Sequence, residues 1–174
     1  MPDVPDVSVY RATAADLPVT ERLWLMFRHD MSEFTGLLPR PDGTFRDDRL
    51  RAAFTDEDVA PYLLTSEGRP AGLAFVRGLT GQVRVLSSFF VVRGARRAGV
   101  GLRAVREVTA RHPGRWEVAF QDENAGAVAF WRRVAADLAG DAWTEERRPV
   151  PGRPGLPPDV WISFRVAPTG PSPD

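Results

Sequence analysis

Six residues, Arg96-Arg97-Ala98-Gly99-Val100-Gly101, place two cations and two glycines between an apolar run, Val83 to Val92, and a segment of helical periodicity, Gly99 to Arg111. That order suits a bound pyrophosphate. The first N–H groups of a helix lack intrahelical partners and can donate to phosphate oxygens. Gly99 and Gly101 carry no Cβ to keep a ligand off that backbone, and glycine tolerates the φ/ψ values of a tight turn. A second polar cluster is His29-Asp30-Met31-Ser32-Glu33-Phe34. Helical spacing puts His29, Ser32 and Glu33 on one face, with Arg22 a turn or two earlier. A carboxylate there can bind an ammonium group or take its proton. The same residues also suit a solvated helix end with an i,i+4 ion pair.

Glycine turns of this kind serve several ligands. The dinucleotide fingerprint is met in part, with Ala104 at its third small position and Asp122 about twenty residues on at a strand end. The context differs, because the upstream chain reads as neighbouring strands rather than a βαβ series. Too little chain follows Asp122 for a second mononucleotide-binding half. A Walker loop requires Gly-Lys-Ser/Thr, and the sequence contains no Lys.

A further motif follows. Arg115 to Gln121 alternates apolar Trp116, Val118 and Phe120 and reads as a strand. It runs into Asp122-Glu123-Asn124, then Ala127, Phe130 and Trp131, and Asn124 is the sole Asn of the chain. Arg-x-x-Gly-x-Gly, then Asn-x-x-Ala-x-x-Phe-aromatic after the next strand, resembles the coenzyme A site of the GNAT acyltransferase superfamily. The resemblance covers Val83 to Leu138.

It implies a fold of α/β (α+β) class, with a central mixed β-sheet splayed at its middle strands and helices on both faces. It implies an acyl-CoA-dependent N-acetyltransferase, in which an amine of a small molecule or peptide attacks acetyl-CoA directly in a ternary complex, with no metal. By resemblance, Arg96, Arg97, Ala98, Gly99, Val100 and Gly101 cradle the pyrophosphate. The backbone of Phe90 and Val91 pairs with the pantetheine arm, Asn124 bonds that arm, and Phe130 and Trp131 belong to the cofactor pocket. Asn124 is also well suited to cap a helix, and Phe89 to Val92 suit a plain β core. Many relatives carry a Tyr beside the Phe, whose hydroxyl can protonate the leaving thiolate. Trp131 stands there instead, and an indole N–H donates a hydrogen bond without serving as a proton source at neutral pH. No general acid is named; the two tyrosines, Tyr10 and Tyr62, are not placed near the sulfur by the sequence.

The acceptor pocket of such proteins commonly lies at the end of the first helix. Glu33 and Asp30 are therefore candidate bases there, with Glu123 a further one at the end of the next strand. His29, Ser32, Ser88 and Gln121 are candidate lining residues. His112, before Pro113-Gly114, reads as a surface turn residue without a catalytic role. Two other readings remain open: an acyltransferase of this fold using an aminoacyl-tRNA or carrier-protein donor, and a non-catalytic acyl-CoA binder. A homodimer is compatible with the resemblance.

Composition bounds the rest. At 174 residues the chain is expected to form one domain. Its formal net charge of zero disfavours non-specific nucleic-acid binding, although seven arginines between Arg93 and Arg115 make a basic patch that a tRNA donor would suit. Without Cys there is no disulfide, thiolate metal site or Cys nucleophile. No apolar run approaches the ~20 residues of a membrane span, and the N-terminus lacks the pattern of a signal peptide, so a cytoplasmic location is expected.

The elements that must position these residues follow from periodicity and turn signals. Disordered tails are expected over 1–6 and 167–174, with the domain over 7–166. A strand at Val7 to Arg11 precedes a helix opening at Asp16, with a buried stripe of Val19, Leu23, Met26, Phe27 and Phe34. A short helix at Phe45 to Phe54 leads to strands at Pro61 to Ser66, Ala71 to Gly78 and Val83 to Val92. Helices at Gly99 to Arg111 and Asn124 to Leu138 flank the Arg115 to Gln121 strand. Asp141 to Arg147 and Asp159 to Val166 close the chain as a strand pair around a Pro-rich loop.

Overall fold

The computed structural model describes residues 5–170, and within them seven strands and four α-helices follow in the expected order. They are β1 (Val7–Arg11), α1 (Leu17–Thr35), α2 (Asp48–Thr55), β2 (Val59–Ser66), β3 (Arg69–Arg77), β4 (Val83–Val91), α3 (Val100–Ala110), β5 (Gly114–Phe120), α4 (Ala125–Ala139), β6 (Thr144–Arg148) and β7 (Asp159–Val166). Of the tails read as disordered, residues 1–4 and 171–174 lie outside the described residues; 5–6 and 167–170 carry no helix or strand.

All strands form one sheet in the order β1-β2-β3-β4-β5-β7-β6. Only the β4–β5 pair is parallel; the other neighbours are antiparallel. Helices cover both faces. On one, α3 and α4 bury Val100, Ala104, Val105, Val108, Trp131 and Val134 against Tyr62, Val76, Trp116 and Ile162. On the other, α1 and α2 bury Leu23, Trp24, Phe27, Leu50 and Ala53 against Leu63, Leu73, Phe75 and Phe90.

The inner face of α1 departs from the expected stripe. Thr20, Leu23, Trp24 and Phe27 are buried, at i, i+3, i+4 and i+7. Met26 is 51% exposed, whereas Trp24 is 2% exposed and donates its indole N–H to the Arg46 carbonyl (3.0 Å). That bond lets Trp24 bury its polar handle, and residue 26 falls outside the stripe that includes residues 23, 24 and 27. α2 starts at Asp48 rather than Phe45 because the Asp47 carbonyl accepts its first helical bond, from Arg51 N–H (2.9 Å).

The centre of the sheet opens into a wedge. β4 and β5 pair only at Val83↔Arg115, Arg84↔Trp116 and Val85↔Glu117. β4 then stays with β3 as far as Gly72↔Val91, and β5 stays with β7 as far as Phe120↔Val160. A register shift between Phe75 and Val76 leaves Ser87 as an extra residue between Leu86 and Ser88, and such a bulge bends its strand. On the far side of the wedge, Glu117 accepts from Arg115, Arg148 and Ser163, tying β5 to β6 and β7.

Candidate active site

Between β4 and α3 the chain runs through a 3₁₀ segment, Arg93–Ala98, into Gly99 at φ +75°. Only glycine adopts that left-handed conformation readily. Arg103 N–H then donates to the Gly99 carbonyl (3.2 Å), leaving the N–H groups of the first turn of α3 for other acceptors. The three cations of this segment differ in what they do. Arg93 donates two hydrogen bonds to Asp30 Oδ1 (3.0 and 2.8 Å), and Arg96 donates one to Asp30 Oδ2 (2.6 Å). Arg96 also donates from Nε to the Val91 carbonyl (2.7 Å). Arg97 is exposed and forms no ion pair with any described residue.

A cleft of about 350 Å³ lies where the wedge meets this loop, bounded by α1, β4 and the starts of α3 and α4. Phe89 stacks on Phe130 (centroids 5.7 Å apart), and Trp131 meets both rings edge-on (5.3 and 4.8 Å). These aromatics wall the cleft, together with Phe27, Phe34 and Gly101. Gly101 lets the Phe130 ring lie close, since a Cβ there would stand 3.1 Å from it. Strand alternation decides which backbone groups face the gap. Val92 N–H donates to Ala71 of β3, and the Phe90 carbonyl is directed at Gly72 of β3. The groups of Phe89 and Val91 therefore turn the other way, towards β5. Of the expected pair, Val91 faces the opening, and Phe89 joins it in place of Phe90. Asn124 caps α4, its Oδ1 accepting Ala127 N–H (3.0 Å), and it lines the cleft as well.

The residues expected on the acceptor side divide. Asp30 and Glu33 line the cleft, whereas His29, Ser32, Ser88, Gln121 and Glu123 do not. Burial raises the Asp30 pKa, but the hydrogen bonds from Arg93 and Arg96 outweigh it and hold the carboxyl below its usual value. With both oxygens engaged, Asp30 anchors the loop and is poorly placed to take a proton. Glu33 forms no ion pair with a described residue. Ser88 is buried at the bulge, 3% exposed, with no partner for its Oγ. His112 is half-buried rather than a free surface residue, with Nε2 2.6 Å from the Tyr62 hydroxyl. Burial and then Arg84, Arg11 and Arg111 lower its pKa.

Two cations near the bulge escaped the sequence reading. Arg49 of α2 donates to the Ser87 carbonyl (3.0 Å), and Arg28 of α1 lies over the Trp24 ring (5.8 Å). The only signal in the sequence was their charge, in a chain where every basic residue except two His is Arg. Among the described residues no group of His, Asp or Glu is arranged to hold a metal ion, and no helix is long and apolar enough to cross a membrane.

The fold is similar to that of an acetyltransferase from Thermus thermophilus, with TM-score 0.66 and 19% identity over 94% of this chain and 99% of that one. It is similar to the ribosomal-protein-S18-alanine N-acetyltransferase of Escherichia coli, with TM-score 0.64 and 13% identity over 97% and 99% of the two chains. An aminoglycoside acetyltransferase in complex with coenzyme A has TM-score 0.63 and 17% identity over 92% and 95%. At such identities the likeness is one of fold. No curated protein matches the sequence. The model of the acetyltransferase (GNAT) family matches residues 23–135, from the buried face of α1 through the glycine loop to α4. With that match over most of its length, the chain is an enzyme of the GNAT acetyltransferase family.

Proposed function

We propose that the protein transfers an acetyl group from acetyl-CoA to an amine of a small molecule or peptide, by direct attack in a ternary complex. One observation carries this reading: beyond Val85, β4 has no strand partner on its β5 side, and this open backbone ends at the Gly99 loop. An extended pantetheine arm can pair there as an added strand, with its phosphates at the start of α3 and Arg97 free to meet them. The cleft volume and aromatic wall suit the arm's apolar body.

Acetyl-CoA brings the activated acyl group. The amine nitrogen forms the new C–N bond as the C–S bond breaks and the thiolate leaves. Holding the two reactants together supplies several kcal/mol of the rate, on the order of what effective molarities allow. An N–H of Phe89 or Val91 facing the gap polarises the thioester carbonyl. Glu33, unpaired in the cleft, receives the ammonium proton, and Asp30 holds Arg93 and Arg96 in place. Trp131 packs against Phe89 and Phe130, so solvent protonates the thiolate. The zero net charge and the use of two loop arginines by Asp30 weigh against a tRNA donor.

Calorimetry with CoA and a thiol-release assay with acetyl-CoA and a panel of amines test this reading. Binding in the micromolar range and amine-dependent thiol release are expected. Absence of CoA binding overturns the donor assignment, and binding without thiol release makes the protein an acyl-CoA binder.

A further inference from the structure

The α1–α2 face of β4 carries two cations with no counter-ion, set around the bulge at the inner end of the wedge. Arg49 reaches the carbonyl of Ser87, the extra residue of the bulge. Arg28 lies over Trp24, Trp24 stacks on Phe75 (5.8 Å), and Phe75 pairs across the strands with Ser88. These contacts set Arg28 and Arg49 on the same side of β4, near enough for each to feel the other's charge. Neither arginine forms an ion pair with a described residue, and neighbouring Arg46 is paired with Asp48. Asp159, at the start of β7, affects Arg49 electrostatically without reaching ion-pair distance.

These are not ordinary solvated arginines. Arg28 Nε is enclosed and has no hydrogen-bond partner, and neither has the buried Ser88 Oγ. An enclosed donor left unmade is costly, and most such groups in proteins are satisfied. The Arg49 side chain is open to solvent yet flanked by protein. Burial and the fields of Arg28 and Arg77 lower its pKa, and burial and Arg46 lower that of Arg28. A ligand oxyanion between them would meet the outer N–H groups of both guanidinium forks and supply the missing counter-charge. The guanidinium fork matches a carboxylate or phosphate in shape as well as charge.

We propose that the acceptor carries, besides its amine, an anionic group, a carboxylate or a phosphate monoester, which docks between Arg28 and Arg49 at the Ser87 bulge. This names the substrate class of the acetyl-transfer reading and rests on it. The anion site lies at the bulge in the middle of β4, where the wedge begins, so donor phosphates and acceptor anion occupy opposite ends of the wedge. The amine between them then faces the thioester.

Matched amines test it: glycine against glycinamide, β-alanine against its amide, phosphoethanolamine against ethanolamine, and short peptides with free or amidated C-termini. The anionic member of at least one series is expected to have kcat/KM tenfold or more above its neutral partner, and the series that shows it identifies the anion. Arg49→Gln and Arg28→Gln should bring that ratio close to one while CoA affinity and melting temperature hold. Arg49→Lys, which keeps the charge but not the fork, should restore part of it. A protein that binds CoA and acetylates neutral amines as well as their acidic partners overturns the anion site and leaves acetyl transfer standing. So does an Arg49→Gln variant that keeps the wild-type ratio. A protein that releases no thiol with any amine undoes the transfer reading and this proposal with it.

Discussion

The Phe130 ring faces Gly101, so that a Cβ on residue 101 would stand 3.1 Å from Cε2. The glycine of one motif thus makes room for the aromatic of the other, and the start of α3 and the middle of α4 meet over the cleft. Gly101→Ala is expected to destabilise by about 1 kcal/mol, the low end of overpacking costs, because the half-buried ring borders the open cleft. Urea unfolding measures it. Phe130→Leu in the same chain should recover part of that loss, a coupling that a double-mutant cycle reads directly. Strictly additive effects would mean that the ring yields freely.

Asp30→Asn should weaken CoA binding about tenfold, because the glycine loop loses the carboxylate that holds Arg93 and Arg96. Its effect on stability should depend on pH in a defined direction. The Asp30 pKa is lowered in the fold, so its stabilisation is complete above the ordinary aspartate value of about 3.9 and is lost as pH falls through the lower folded value. Denaturation of both proteins between pH 7 and pH 2.5 should show a constant difference that shrinks only in acid. Unchanged CoA affinity would separate the ion pairs from the donor site.

Glu33→Gln should lower acetyl transfer by roughly tenfold and leave CoA affinity alone, since a base role touches only the acceptor's proton. A fully active Glu33→Gln enzyme would move the base elsewhere, although the other candidate, Glu123, does not line the cleft.

Arg97→Ala should weaken CoA about two- to fivefold, on the order of one exposed charge contact, and flatten the salt dependence of binding. Titrations at low and high ionic strength decide the matter. An unchanged salt slope would mean that the phosphates do not meet Arg97.

What was legible in the sequence was local. The α3 face of Gly101, Ala104, Val105 and Val108 follows from helical spacing and is buried as a set. The cap formed by Asn124 follows from one residue type at one boundary. What was not legible depends on partners distant along the chain. Asp30 looked like an acceptor-side carboxylate until it met Arg93 and Arg96 from beyond β4. Trp24 outranked Met26 for the core because the Arg46 carbonyl was there to take its N–H. Arg49 gains meaning only from a bulge on β4, and a register shift leaves no mark in a strand as apolar as Val83–Val91. The backbone alternation that selects Phe89 and Val91 likewise needs the pairing partner, β3.

The short β4–β5 pairing has a consequence for solubility. A strand with unpaired amides is a template for any other extended chain, and proteins commonly defend such edges with Lys, Pro or a short length. β4 has neither residue type between Val83 and Val91, and its open stretch, Leu-Ser-Ser-Phe-Phe-Val, is rich in β-formers and uncharged. Its guards come from elsewhere in the chain: Arg96 occupies the last carbonyl, and Phe130 and Trp131 wall the gap and narrow the way in for an intruding strand. The gap that admits one extended ligand is thus also an opening to aggregation inside the sheet, and an α4 that frays would widen it.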